Sequence, residues 1–181
     1  MRKFALAGIA VAMLIIPASA SASGSWDKLL APESACPGQS DPSQAVAAQE
    51  QTIVCMHNWA REQQGLSALH ISRKLQTSSH RKAKDIKRCR QFSHEACGRN
   101  AFYWFRRVGF MRGHYGAGEN LAFGSGPLGT VRDTMSAWLN STIHRTVLLT
   151  ASWHEVGISV VRGHLDGRRV DIWVAHFGYH L

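Results

Sequence analysis

Past its first few residues the chain has no run approaching eighteen consecutive apolar side chains, so no membrane-spanning helix is expected in its body. It has no C-x2-C pair, which removes the common thiolate zinc site. His94-Glu95 begins an H-E-x-x-H but position 98 is Gly, and no G-x-S-x-G elbow occurs anywhere. Carboxylates are scarce: 12 Asp and Glu stand against 21 Lys and Arg, a formal charge of +9. Such a basic chain seeks anionic partners, and without a nucleic-acid recognition motif those are envelope polymers or lipid headgroups rather than nucleic acid. Low-complexity, collagenous and disordered classes are excluded by 45% hydrophobic and 18% charged residues with only 5 Pro and 16 Gly. There is no internal repeat. The 181 residues suit one domain able to bury about 70% of its unfolded surface.

Residues 1–22 carry the three parts of a secretory signal peptide: Arg2 and Lys3, an apolar run from Phe4 to Ile16, then small residues after Pro17. Cleavage is expected near Ala20 or Ala22, since both end a small-x-small step. The run is too short to span a bilayer, and no Cys follows either site to take a lipid. Loss of Arg2 and Lys3 leaves +7 on the remaining chain. The expectation is a secreted, extracellular monomer.

An exported chain with four Cys, at 36, 55, 89 and 97, is expected to hold two disulfides. Three connectivities are possible and the sequence does not decide among them. The pairing taken here is Cys36–Cys55 with Cys89–Cys97, contributing about 3 and about 2.5 kcal/mol in the chain-entropy picture.

Residues 23–40, rich in Ser, Pro and Gly, read as an N-terminal extension, and 41–181 as the folded domain. Asp41-Pro42 looks like a helix start, with Val46, Ile53, Met56 and Ala60 at helical spacing and Gly65 as the stop. A second helix from Ser72 to Arg90 sets Leu75, Ala83 and Ile86 against a basic face of Arg81, Lys82, Lys84, Lys87 and Arg88. Phe102-Tyr103-Trp104-Phe105 suggests a short aromatic helix that packs in the core or lines a groove. Thr130-x-x-Asp133 resembles a capping box for a helix ending near Ser141. Val156, Ile158 and Val160, then Val170, Ile172 and Val174, alternate about Asp166-Gly167, predicting an antiparallel hairpin buried on both faces. Helices first and strands last make an α+β domain.

Three segments carry the chemistry: Phe92-Ser93-His94, Gly118-Glu119-Asn120-Leu121-Ala122, and Trp138-Leu139-Asn140-Ser141-x-x-His144-Arg145. In this order, with Gly157-Ile158-Ser159-Val160 and Trp173-x-x-x-Phe177-Gly178 after them, they resemble the CAP superfamily, or SCP domain, of cysteine-rich secretory proteins, venom antigens and pathogenesis-related proteins. The resemblance runs from about Val46 to Gly178. It implies an α-β-α sandwich with helices on a central antiparallel sheet, and a cleft holding two His and two acidic side chains. His94, Glu119 and His144 match three of those positions; the fourth falls on Ser141.

Two imidazoles and a carboxylate can hold zinc or another divalent cation, with His94 and His144 as ligands and Glu119 as third ligand or as the group orienting a ring. Equally, Glu119 can close a structural hydrogen-bond network. Among the other histidines, His114 is the best spare ligand, in a Gly-rich turn before Glu119; His176, sharing a strand face with Val174, reads as a satisfied core histidine. Three functions stay open. The first is a secreted domain binding a small apolar, lipidic or cell-envelope ligand at His94, Glu119, Ser141 and His144. The second is a metal-dependent hydrolase with catalytic candidates His94, Glu119 and His144. The third is a surface module docking on anionic envelope material through Lys82, Lys84, Lys87 and Arg88.

Overall fold

The computed structural model describes residues 25–180, so the expected signal peptide lies outside it. At its centre is the hairpin the alternation predicts. β3 (Glu155–Leu165) and β4 (Arg168–His180) pair antiparallel from Leu165 opposite Arg168 to Glu155 opposite Gly178. Asp166 and Gly167 turn the chain with φ of 49° and 75°, the left-handed pair whose twist suits a two-residue hairpin loop and which Gly adopts without a Cβ penalty. On the other side of β4 runs β2 (Tyr115–Gly124), antiparallel, and the two-residue β1 (His70–Ile71) lies along β3, giving the order β1-β3-β4-β2. The sheet departs from the expected antiparallel pattern only at β1, which is parallel to β3.

Side chains alternate across these strands and so divide the core in two. Val156, Ile158, Val160, Trp173, Ala175 and Phe177 meet α1 (Val46–Glu62) and α4 (Val131–Asn140), through Ile53, Met56, Met135, Trp138 and Leu139. Leu121, Val170, Ile172 and Val174 meet Ala83 and Ile86 of α2 (Arg73–Cys89) on the opposite face. The result is an α-β-α sandwich. Beyond the two residues paired with β1, the open side of β3 is blocked by side chains: Gln76 accepts from Ile158 N–H at 3.1 Å and donates to Ile158 O at 2.8 Å, and Glu50 accepts from Val160 N–H at 3.1 Å.

Four local features differ from the sequence reading. α1 starts at Val46 rather than Pro42, because Asp41 spends its carboxylate on Ser43, accepting from both N–H and hydroxyl, and so holds a turn instead of capping a helix. Residues 25–40 belong to the packed body: Leu29, Ala31, Cys36 and Gln39 are buried, and Cys36 is bonded to Cys55 of α1. The Gly-rich stretch before Glu119 is strand from Tyr115 on, with Gly113 and His114 in the bend that precedes it. Beyond α4, whose start is capped by Thr130 accepting from Asp133 N–H, Ser141 is a single extended residue and a further helix follows, α5 (Thr142–Leu148). Cys89–Cys97 forms the second disulfide, as paired above.

Candidate functional site

β2 is the outermost strand beside β4, and the candidate residues gather along it from both helical layers. Glu119 stands opposite His176 in the ladder. Its side chain is only 2% exposed and both oxygens are engaged. Oε1 accepts from His94 Nδ1 at 2.6 Å and Oε2 from His176 Nε2 at 2.7 Å, while Lys82 Nζ lies 3.9 Å from Oε1. Lys82, itself buried, donates to the backbone carbonyl of His94 and so ties the loop after α2 to the same carboxylate. His176 is wholly buried; Ser78 donates to its Nδ1 at 2.8 Å and Phe105 stacks on its ring at a centroid distance of 4.1 Å. Burial alone would raise the Glu119 pKa, but the hydrogen bonds from His176 and His94 outweigh it and hold the group below its ordinary value. Burial pushes His176 the other way, below an ordinary imidazole, against the pull of Glu119. A neutral His176 that donates from Nε2 accepts at Nδ1, so the chain Ser78–His176–Glu119 has every polar atom partnered.

The second half of the site comes from α4 and α5. Ser141, the hinge between them, shares a hydrogen bond of 2.8 Å with His144 Nδ1, one turn on. Asn120 of β2 donates to the carbonyl of His144 at 2.9 Å, and Trp138 donates to Leu121 O at 3.0 Å, so α4 and α5 are fastened to the strand edge. Burial lowers the His144 pKa, and its electrostatic interaction with His94 acts in the same direction. Between the layers is a hollow of about 260 Å³ lined by Phe92, Leu121, Phe123, Trp138, Ser141 and His144 among others. Phe92 and Phe123 form its lip in edge-to-face contact, centroids 4.6 Å apart, yet remain 41% and 49% exposed.

The sequence-derived residues therefore meet as two pairs, His94 with Glu119 and Ser141 with His144, rather than as one cluster. Glu119 turns to His176, not to His144. His114 is exposed and five residues before Glu119, roughly 16 Å along an extended strand, so it is no part of the site. The aromatic run, which forms α3 (Tyr103–Arg107), does not line the hollow: Phe105 is core, and Phe92 and Phe123 take the place it was offered. Lys82 leaves the basic face assigned to it and points inward. That was readable, because Lys82 lies seven residues after Leu75 and four before Ile86, on the buried stripe of α2. Nothing local announces that His176 binds Glu119; it follows from strand register alone.

The model of the cysteine-rich secretory protein family, CAP, matches residues 54–177, which include every residue of both pairs. The chain belongs to the CAP family. Among curated proteins the uncharacterized protein YkwD of Bacillus subtilis is 30% identical over 118 residues, 65% of this chain and 44% of its own length. The chain thus spans less than half of that relative. Solved structures similar to this chain include an outer surface protein of Borrelia burgdorferi, with TM-score 0.63 and 20% identity, covering 76% of this chain and 97% of its own. An extracellular SCP-domain protein of Bacillus anthracis gives 0.59 and 23%, covering 82% of this chain and 43% of its own. A cysteine-rich secretory protein of Staphylococcus aureus gives 0.60 and 19%, over 77% and 41%.

Within this CAP domain the chemistry available is limited by what the side chains already do. His94 has a carboxylate behind Nδ1 and Nε2 turned outward, the orientation of a general base held by an acid. Among the described residues its only side-chain hydrogen bond is the one to Glu119, and the hydroxyl of Ser141 is engaged with His144 instead. No three His, Cys, Asp or Glu side chains among the described residues are arranged to hold a metal ion. With both oxygens of Glu119 taken, a His94–Glu119–His144 ligand set does not fit; Glu119 fits only as the group that orients His94.

Proposed function

We propose that this CAP domain is an exported binding module whose hollow beside β2 takes the apolar segment of a small lipidic or cell-envelope ligand, with His144 and His94 meeting its polar end. The observation that carries this reading is the pair Phe92–Phe123. Two phenyl rings left nearly half exposed beside a recess are what an apolar ligand would cover, and the His144 imidazole lines one side of it. At about 260 Å³ the recess is at the small end for ligand pockets, so it accommodates part of a molecule and leaves the rest in solvent. Export is supported by the leader-like residues 1–22 and by two disulfides, which persist in oxidising compartments.

Titration of the mature domain with lysophospholipids and soluble envelope fragments, followed by chemical shifts, tests the reading. A saturable response localised to residues 92, 121–123 and 138–144 is expected. Phe92→Ala with Phe123→Ala should weaken it about tenfold, two aromatic contacts being worth ~0.5–1.5 kcal/mol each. Absence of a saturable response to any of these ligands, or binding indifferent to the double substitution, would overturn it.

A further inference from the structure

We infer a second binding site at the far end of the sheet, where Lys87, Arg162, His164 and Arg169 form a docking surface for a linear phosphate-bearing polymer. The β3–β4 hairpin places it there. His164 pairs with Arg169 and Arg162 with Asp171, so the three basic side chains leave the hairpin on one face, while Lys87, near the end of α2, packs its stem against Gly163 from the other. Arg162 and Arg169 are common to two adjoining recesses, of about 480 and 310 Å³; the larger also includes Ser43, Ser125 and Asp171, the smaller Lys87 and His164. Arg169 is seven residues from His176 along β4, roughly 23 Å, which separates this surface from the imidazole cleft.

Asp171 is the one carboxylate lining either recess; it lies 3.6 Å from Arg162, whose guanidinium also donates to the carbonyls of Pro42 and Gln44. That anchoring holds Arg162 in place. Lys87 and Arg169 take part in no ion pair among the described residues, and both are exposed, as are Arg162 and His164. Like charges drawn together around a single carboxylate, Asp171, favour an anion that bridges them, and guanidinium forks match phosphate oxygens. Each exposed contact is weak, so a single phosphate gains little, whereas a chain of phosphates engages several contacts at once. A lipid surface suits the site less. None of the exposed large apolar side chains lines either recess, and a membrane-docking face needs apolar groups to insert.

The test is binding of the mature domain to medium-chain inorganic polyphosphate, with orthophosphate and phosphatidylglycerol–phosphatidylcholine vesicles as parallel arms. Polyphosphate should bind with an affinity that falls steeply as salt rises, and the other two arms should show far weaker binding. Lys87→Glu, Arg162→Glu and Arg169→Glu together should weaken binding about tenfold or more. Lys87→Gln with Arg169→Gln, which spares the anchoring of Arg162, should give an intermediate loss in a folded protein. Arg73→Glu, Arg107→Glu and Arg112→Glu together make the same charge change at exposed positions elsewhere on the surface and should cost much less. An equal loss in that control, vesicle binding stronger than polyphosphate binding, or no polyphosphate binding at all would each overturn the inference.

Discussion

The two sides of β2 treat their histidines differently. On the α2 side, Glu119, His176, Lys82 and Ser78 form a sealed assembly in which each charged or polar atom has been given a partner. On the α4–α5 side, His144 is half-buried with one hydroxyl for company, next to an apolar recess. His94 stands at the border of the inner assembly, with its ring anchored on Glu119 and its side chain 54% exposed. The difference assigns work: the inner half fixes geometry, and the outer half is free to meet another molecule. Burying a carboxylate is tolerable only with several donors around it, so the inner half should be the part that cannot be altered.

The largest effect expected follows directly. Glu119→Ala leaves Lys82 and two imidazoles facing an empty position, and removing one partner of a buried ionic group typically costs about 3–5 kcal/mol. Chemical denaturation should show a loss of that order, with Glu119→Gln milder because it keeps the volume and one acceptor. A Glu119→Ala protein within about 1 kcal/mol of the parent would show that the inner half is not the structural one.

Acid titration sharpens the comparison, because buried histidines and buried carboxylates respond in different windows. His57 lies wholly inside the other core, donating from Nδ1 to Ile53 O at 2.8 Å with Nε2 unpartnered, and burial drives its pKa to about 4. The unfolded chain takes up a proton near pH 6.5 while the folded chain refuses it. Stability present above 6.5 is therefore lost as pH falls towards 4, by about 3 kcal/mol for this residue. His176 adds a loss of the same sign. The Glu119 contribution, from a lowered carboxylate pKa, is retained down to about its unfolded value of 4.5 and is lost only as pH falls below that. His57→Leu should flatten the stability curve between pH 6.5 and 4 and leave the slope contributed by His176, His144 and His80, whose burial also lowers their pKa values. An unchanged curve would mean that His57 is not kept neutral by its burial.

Much of this was legible in the chain. Asp166-Gly167 between alternating runs gave the hairpin, the cysteines were paired as found, and the three motif segments pointed to His94, Glu119, Ser141 and His144. What stayed hidden was of two kinds. β2 did not look like a strand because Gly116 and Gly118 lower strand propensity; the fold needs them bare, since a Cβ on Gly116 would fall 2.2 Å from the ring of Tyr179 in β4. The grip of His176 on Glu119 arises between residues 57 apart, fixed by register and not by spacing. Lys82 is a different case, since its helical position already placed it inside and only its charge suggested otherwise.

The smallest stability effect is expected at His144, and it bears most directly on function. Its ring makes one hydrogen bond to Ser141 at a half-buried position, and α5 is held to β2 through the His144 carbonyl, which substitution does not touch. His144→Ala should therefore cost no more than about 1 kcal/mol. If the outer half is the binding half, the same substitution weakens the chemical-shift response to ligand while leaving the resonances around Glu119 and His176 in place. Should it destabilise the domain as much as Glu119→Ala does, both halves are scaffold, and the recess beside Phe92 and Phe123 would have to recognise its ligand by apolar contact alone.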